Sequence, residues 1–501
     1  MGADGESARQ LVLPLYGGGV REPAPDVACA HAAAHALSQN RPEDSAIRTL
    51  TVAQVWIAGL LMVILTGTAL IFPRGTFSTL SFAAFYFFVA ALAFRGAIYL
   101  HGAEAVARRQ RVSADIERNS GDAVWPVYTL LIALKDEAES ADQLSRAICA
   151  LDYPRNRLDI KLLVEVGDEP TWEALRAQAW PPGTELLVVP PGEPRTKPRA
   201  LNYGLLRAKG EFVVVYDAED RPHRDQLKMA VRAFRAGGRD LACVQAPLVG
   251  DGGRGWIAGQ WALEYAVQFG RMLPGLAALG LPIALGGTSN HFRKTLLEAV
   301  DGWDAWNVTE DADLGLRLAR CGLQVGVIDP PTLEAPPEAL TVWLAQRSRW
   351  LKGFLQTWLV VMRRPWKAMR EMGAGNFLAL QLTLGAAILS AMVHGPWAIW
   401  LLTTLVLPGI GPAPVFLGFI AVSYLASIAM ALAAPGRRDL RRLLLAFTLP
   451  VYWPLQSVAM ARAIYSLARR PHFWAKTPHG VPPAIPRKRS APERRVYSSE
   501  A

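Results

Sequence analysis

Two blocks of bilayer-length apolar sequence bracket a polar middle, and that arrangement constrains this chain more than any single motif. Residues 52–72 and 78–99 are each long enough to cross a hydrocarbon core. Only Pro73-Arg74-Gly75-Thr76-Phe77 separates them, so the pair predicts a helical hairpin. Arg108, Arg109 and Arg111 follow, and such a cluster marks the cytoplasmic side. The apolar character returns at 376–393, 396–410, 413–434 and 443–466, the second run short and the last carrying Pro450 and Pro454. Six spans leave both ends cytoplasmic. One loop disagrees, because Arg437-Arg438-Asp439-Leu440-Arg441-Arg442 then faces outward, against the positive-inside preference. Either one span is re-entrant or the short run does not cross.

Composition agrees with an integral membrane protein: 51% of the 501 residues are hydrophobic and 16 are Trp. The formal charge of +10 gathers beside the apolar runs, which points to a membrane face and not to nucleic acid. Cys29, Cys149, Cys243 and Cys321 are scattered, so neither a disulfide framework nor a zinc site is indicated. Cys29, His31 and His35 share an Ala-rich stretch without paired metal spacing. Residues 1–50 lack the apolar run of a cleavable signal peptide and predict a partly helical lead-in. Pro486 to Ala501 mixes Pro, Arg, Lys and Ser without periodicity, the pattern of a disordered tail.

Between the apolar blocks, strand-like and helix-like stretches alternate. Val127 to Leu134, Asp159 to Val166, Glu185 to Val189, Glu211 to Tyr216 and Ala242 to Leu248 read as strands, which predicts a mostly parallel α/β sheet with helices on both sides. The fourth strand runs into Asp217-Ala218-Glu219-Asp220-Arg221-Pro222, and Arg221-Pro222 does not extend it. Acids also close the first strand (Lys135-Asp136-Glu137) and the second (Glu165-Val166-Gly167-Asp168). Open α/β sheets bind ligands at the carboxyl ends of their strands. Asp217 and Glu219, two apart, suit a hard divalent cation that in turn takes a diphosphate; a solvated acidic turn is the plain alternative.

Further features converge on the same chemistry. Arg195-Thr196-Lys197-Pro198-Arg199 opens a helix, and a helix start with added cations suits an anion. Leu285-Gly286-Gly287-Thr288 lets backbone approach a ligand. Thr309-Glu310-Asp311 precedes Leu314, Leu316 and Leu318 and reads as a capped helix start. Residues 340–363 place Leu344, Leu351, Leu355, Trp358 and Met362 at helical spacing among Gln346, Arg347, Arg349 and Lys352, which suits a membrane surface. The stretch from Gly255 to Ile283, with Trp256, Trp261, Tyr265 and Phe269, reads similarly; core packing is the alternative for both.

Taken together, these residues resemble the membrane-embedded family 2 glycosyltransferases that include cellulose, hyaluronan and chitin synthases. The resemblance covers residues 126–365 closely and extends more loosely to Gly480. It rests on Asp217-Ala218-Glu219 for the family's metal-binding DxD, Thr309-Glu310-Asp311 for TED and Gln346-Arg347-Ser348-Arg349-Trp350 for QxxRW. Trp474-Ala475-Lys476-Thr477-Pro478-His479-Gly480 looks like the FxVTxKG gating loop of cellulose synthases, with Trp for Phe and His for Lys.

The resemblance implies a GT-A type α/β domain carrying an α-helical membrane region, and inverting transfer from a UDP-sugar, UDP-glucose foremost. In its terms Asp311 is the base, with Glu310 beside it, and Asp217 and Glu219 hold Mg²⁺ or Mn²⁺. The donor falls to Asp136, Glu137, Asp168, Lys197, Asp217, Arg349, Thr477 and His479, with Glu165 as rival to Asp168 for the uracil. The acceptor falls to Trp350, Gln346, Gly287 and Thr309. The implied organisation is a cytoplasmic segment (1–50), a transmembrane hairpin (51–100), a cytoplasmic catalytic domain (101–338) and an interfacial region (339–372). A four-span region (373–468) and a cytoplasmic gating-like loop with a basic tail (469–501) complete it, in a multi-pass protein of the bacterial inner membrane.

Three functions fit. A processive synthase extruding a β-linked polysaccharide through its own helices is the leading expectation. A non-processive transferase adding one sugar to a lipid-linked acceptor is the alternative. A transporter with a nucleotide-sensing domain is the third; against it, no Gly-x-x-x-x-Gly-Lys loop occurs and the spans hold few ionisable residues. No stretch resembles a cyclic-di-GMP-binding domain, and nothing indicates a partner subunit.

Overall fold

The computed structural model describes residues 20–119, 124–407 and 414–474. The expected disordered tail lies outside the described residues, as do Thr477 and His479.

The predicted sheet is present. Seven strands lie in the order β3 (Glu185–Val189), β2 (Leu158–Glu165), β1 (Tyr128–Leu134), β4 (Phe212–Tyr216), β8 (Asn290–Arg293), β6 (Leu241–Gln245) and β9 (Gln324–Val327). All neighbours are parallel except β8, which runs antiparallel to β4 and β6. Val213, Val214 and Val215 are almost wholly buried, as parallel strands covered on both faces require. A small second sheet pairs β5 (Arg221–Pro222), β10 (Thr332–Glu334) and β7 (Leu248–Gly250). Arg221-Pro222 thus leaves the main sheet, as expected, and joins another.

Register gathers the acids. Ile132 lies opposite Tyr216, Leu134 opposite Val164 and Glu165 opposite Val189, so β1, β2 and β4 end at one edge. Sequence reading missed β8, a four-residue strand without an alternating pattern. It also gave no hint that Lys161 is fully buried, held by Asp159 at 2.8 Å and Glu185 at 2.6 Å. A buried ammonium persists when paired on two sides.

The lead-in is partly helical, as expected. Helix Val27–Asn40 docks on helix Lys197–Leu205, where Asn202 Nδ2 donates to the Ala33 carbonyl at 3.2 Å. His31 and His35 stack on each other, and no three His, Cys, Asp or Glu side chains among the described residues gather as a metal cluster.

The membrane region departs from the six-span expectation. Among the described residues, four helices are long and apolar enough to cross: Val52–Ile71, Pro73–Arg109, Ala374–Thr403 and Val415–Ala433. Pro73 to Phe77 is not a loop but the first turns of a 47-residue helix, with Pro at its first position, where its missing N–H costs nothing. That helix leaves the spanning region and reaches the sheet, where Arg109 pairs with Asp329 at 2.6 Å. The runs at 376–393 and 396–410 are not separate spans: one continuous helical path carries Pro396 in its interior and absorbs irregularity in a π segment at Gln381–Gly385.

The last apolar run is a bent pair, Leu440–Phe447 and Leu449–Arg469, turned by 48°. Both of its ends touch the side that carries the sheet. Gln260 Nε2 donates to the Leu445 carbonyl at 2.8 Å, while Lys352 Nζ donates to the Arg470 carbonyl at 2.7 Å. Between them Trp453 stacks on Tyr424, halfway along the neighbouring span. The pair therefore enters and returns. With four candidate spans before it, the loop bearing Arg437 and Arg438 lies on the side of the α/β domain, in keeping with the positive-inside preference. A cysteine placed by Arg438→Cys in a background without the four native cysteines is expected to label from the same face as one placed by Arg239→Cys. Labelling from opposite faces would restore a fifth crossing.

Candidate active site

Two helical segments form the floor between sheet and spans. One runs through Gly255–Val267, Gln268–Met272 and Leu273–Ala278; the other is Leu340–Val361. Trp261 and Trp343 are essentially buried, so these aromatics pack as core rather than at headgroup depth. The long helix from Pro73 lies on the first segment with almost no gap, because a Cβ at Gly275 would stand 2.1 Å from the Ile98 carbonyl.

Above this floor lies a cavity of about 1100 Å³. Lys135, Glu137, Glu165, Lys197, Asp217 and Glu219 line its sheet side, with Gly287, Thr309, Glu310 and Asp311. Gln346, Arg347, Arg349, Trp350 and Trp474 line the floor. It continues between the spans to Phe88, Trp397, Leu401, Leu402 and Phe419.

Lys197 joins the motifs. Its ammonium pairs with Asp217 and donates to the Gly287 carbonyl at 2.7 Å. Burial alone would lower its pKa, but the carboxylates of Asp217, Glu310 and Asp311 outweigh that and raise it, so it stays charged. Gly287 also fits against Asp311, since a Cβ there would meet Asp311 Oδ2 at 3.1 Å. Asp311 Oδ1 accepts from the Ala312 N–H at 2.8 Å, and the half-buried carboxyl faces the cavity. Burial pushes Asp311 up and carries its buried neighbour Glu310 to about 7, the Asp311 charge adding to the effect. A carboxylate raised in this way is a stronger proton acceptor than one in water.

Helix Leu340–Val361 holds the Thr309-Glu310-Asp311 turn. Gln356 Oε1 accepts from the Val308 N–H at 3.3 Å, Asn307 Nδ2 donates to Thr357 Oγ1 at 2.9 Å, and Arg349 Nη1 donates to the Val308 carbonyl at 3.5 Å. Thr309 occupies the N-cap position, but its hydroxyl makes no cap bond. It packs instead on Gly353, where a Cβ would stand 2.1 Å from Thr309 Oγ1. Gly353→Ala is therefore expected to displace the turn and to cost transfer more than UDP binding, measured as a fall in kcat against an unchanged UDP affinity. An unchanged kcat would show that the contact is dispensable.

Other expected residues are placed differently. Glu137 lines the cavity; Asp136 and Asp168 do not. Asp168 accepts from the Asp136 N–H at 2.6 Å and caps helix Glu169–Arg176 through the Thr171 N–H at 3.3 Å. The rival Glu165 faces the cavity, with Arg199 at 3.5 Å. Gln346 Oε1 accepts from Trp261 Nε1 at 3.0 Å. Trp350 stacks near Tyr265 at 6.4 Å and carries the Arg347 guanidinium 4.7 Å above its ring. Arg349 lies 5.3 Å from the Trp474 ring, which brings the root of the gating-like loop to the cavity.

Sequence reading missed Glu334, on a three-residue strand with no motif around it. It lines the cavity, and burial together with Asp220, Glu219 and Asp217 raises it far above the carboxylate range. Asp220 is buried beneath the motif, accepting from the Asp217 N–H at 2.7 Å and from Thr288, with Oδ1 left unpartnered. The donor set at this edge is all oxygen. Two cavity-lining carboxylates, Asp217 and Glu219, fit Mg²⁺ or Mn²⁺, which take a few carboxylates and complete their shell with water and phosphate.

Residues 212–434 match the family described as Glycosyl transferase family group 2. Among curated proteins, the β-monoglucosyldiacylglycerol synthase of Synechocystis sp. is 27% identical over 292 residues, 56% of this chain and 60% of that relative. The cellulose synthase catalytic subunit of Komagataeibacter sucrofermentans is 23% identical over 247 residues, 47% of this chain and 32% of that subunit. The chain thus spans less than two thirds of the length of either. Among solved structures, the mannosyltransferase PcManGT from Pyrobaculum calidifontis, in complex with GDP-Man and Mn²⁺, aligns at 20% identity with a TM-score of 0.44. That alignment covers 76% of this chain and 98% of the other. The matched region holds β4 with Asp217 and Glu219, the Thr309-Glu310-Asp311 turn and the Gln346 to Trp350 helix, and it continues through two of the apolar helices.

Proposed function

We propose that the protein transfers a single sugar from a UDP-sugar to the hydroxyl of a membrane lipid, with inversion. The observation that carries this reading is the unbroken cavity from Asp311 to Phe88, Leu92, Trp397, Leu401, Leu402 and Phe419. Its far end is lined by apolar side chains among spanning helices, which suits a lipid tail and offers a hydroxyl-rich polymer few hydrogen bonds. The greater extent and identity of the match to a glycolipid synthase than to a cellulose synthase subunit support the same choice. The lipid acceptor thereby displaces the leading expectation of processive polysaccharide synthesis.

The acceptor hydroxyl gives its proton to the Asp311 carboxylate as its oxygen attacks the anomeric carbon. The bond from that carbon to the diphosphate breaks on the opposite face, which inverts the centre. Lys197 and Arg349 face the charge that develops on the departing diphosphate. Asp217 and Glu219 would hold Mg²⁺ or Mn²⁺, which when bound neutralises part of that charge. Glu165 takes the place first given to Asp168 beside the uracil, because it lines the cavity. Trp350 and Tyr265 offer apolar faces to a sugar or headgroup.

The protein in lipid vesicles, given radiolabelled UDP-glucose and diacylglycerol or phospholipid acceptors, is expected to form a product that partitions into organic solvent and carries one sugar. A water-soluble product that lengthens with time would overturn this reading in favour of polymer synthesis.

A further inference from the structure

One cavity cation lies away from this chemistry, among the spanning helices. Among the described residues lining the cavity between the spanning helices, Arg95 is the one with a formal charge. Its side chain is exposed, and no hydrogen bond or ion pair of its guanidinium is found among the described residues. The nearest acid acting on it is Glu264, and that carboxylate is already engaged. It accepts from Arg347 at 2.5 Å, from the Tyr452 hydroxyl at 2.9 Å and from Gln456 at 3.4 Å.

The depth of Arg95 is also informative. One turn further on, Tyr99 donates to the Met430 carbonyl at 2.8 Å, close to where the span Val415–Ala433 ends on the catalytic side. Arg95 thus lies about one helical turn inside that end, between the catalytic-side floor and the apolar part of the cavity. The apolar part of the cavity lies on one side of it, and Asp311 with Trp350 on the other. An unpaired cation among spanning helices is costly, and it persists where it serves a ligand. A guanidinium presents a planar fork that matches phosphate.

We propose that Arg95 holds the phosphate of the acceptor, which is an anionic phospholipid with a free headgroup hydroxyl. The inference rests on the lipid-acceptor reading and narrows it. The hydroxyl turns toward Asp311 while the acyl chains occupy the space among the spanning helices. A neutral diacylglycerol would leave Arg95 without a counter-ion and would be the poorer acceptor.

The test compares unmodified protein, Arg95→Gln and Arg95→Lys in phosphatidylcholine vesicles doped with either phosphatidylglycerol or diacylglycerol, with UDP release and labelled lipid both measured. Expected are faster turnover on phosphatidylglycerol and a rise of about tenfold or more in its apparent KM for Arg95→Gln, the scale of one charge-assisted hydrogen bond. Partial recovery in Arg95→Lys and an unchanged UDP affinity across the three proteins are expected too. An unchanged KM in Arg95→Gln would overturn the proposal. So would a matching loss of UDP affinity, which would assign Arg95 to the donor. Turnover of the unmodified protein on diacylglycerol as fast as on phosphatidylglycerol would overturn it while leaving single transfer to a lipid intact. A growing polymer with no labelled lipid would instead overturn the lipid-acceptor reading, and this inference with it.

Discussion

Asp311→Asn is expected to bind UDP as well as the unmodified protein does and to transfer sugar about 10²- to 10⁴-fold more slowly. The amide keeps the shape and the bond from the Ala312 N–H but cannot take a proton from the acceptor. Lys197 keeps Asp217 and Gly287 as partners, so the phosphate side of the site stays in place. The pH profile gives a second readout. Because burial raises Asp311, the acid limb of the rate should lie above the usual carboxylate range, with activity lost as the pH falls through the raised value. Near-normal transfer by the variant would remove Asp311 as the base. A parallel loss of UDP binding would make it a structural part of the turn.

Asp217→Ala and Glu219→Ala are each expected to abolish most of the gain in UDP affinity that Mg²⁺ or Mn²⁺ brings. The loss should reach at least the roughly 10- to 100-fold that removal of an outer-shell partner costs. The two should differ without metal. Asp217 neutralises Lys197, so its removal leaves a buried ammonium free for the diphosphate, and metal-free UDP binding should strengthen. Removing Glu219 keeps the Lys197–Asp217 pair, so its variant should bind metal-free UDP with less gain. Titration of UDP with and without Mn²⁺ checks both signs. UDP affinity indifferent to metal in the unmodified protein would rule out the carboxylate pair as a cation site.

The local chemistry was legible because it is written in short runs. A valine-rich strand ending in Asp217-Ala218-Glu219 needs only parallel pairing with β1 to bring its acids to the edge where β2 delivers Glu165. Apolar runs of bilayer length announce helices wherever they occur. Neither kind of signal says how a backbone carries on past its own pattern. Pro73 starts a helix rather than breaking one, and Pro396 sits inside a span whose neighbours absorb the lost bond, so a count by apolar runs splits one helix into two.

By itself, then, the sequence determined a mostly parallel sheet, the edge at which its acids meet, and the presence of helices long and apolar enough to span a membrane. Each of these depends on periodicity and composition within a few residues. Only the tertiary structure decided that residues 440–469 enter and return, because that turns on contacts of Leu445 and Arg470 with Gln260 and Lys352, far apart in the chain. It also put Glu165 on the cavity wall and Asp168 at a helix cap, since a cap and a cavity wall can use the same residue type. And it set Glu334 beside the metal-type carboxylates and left Arg95 without a partner among the described residues, because burial and pairing are properties of the space between elements.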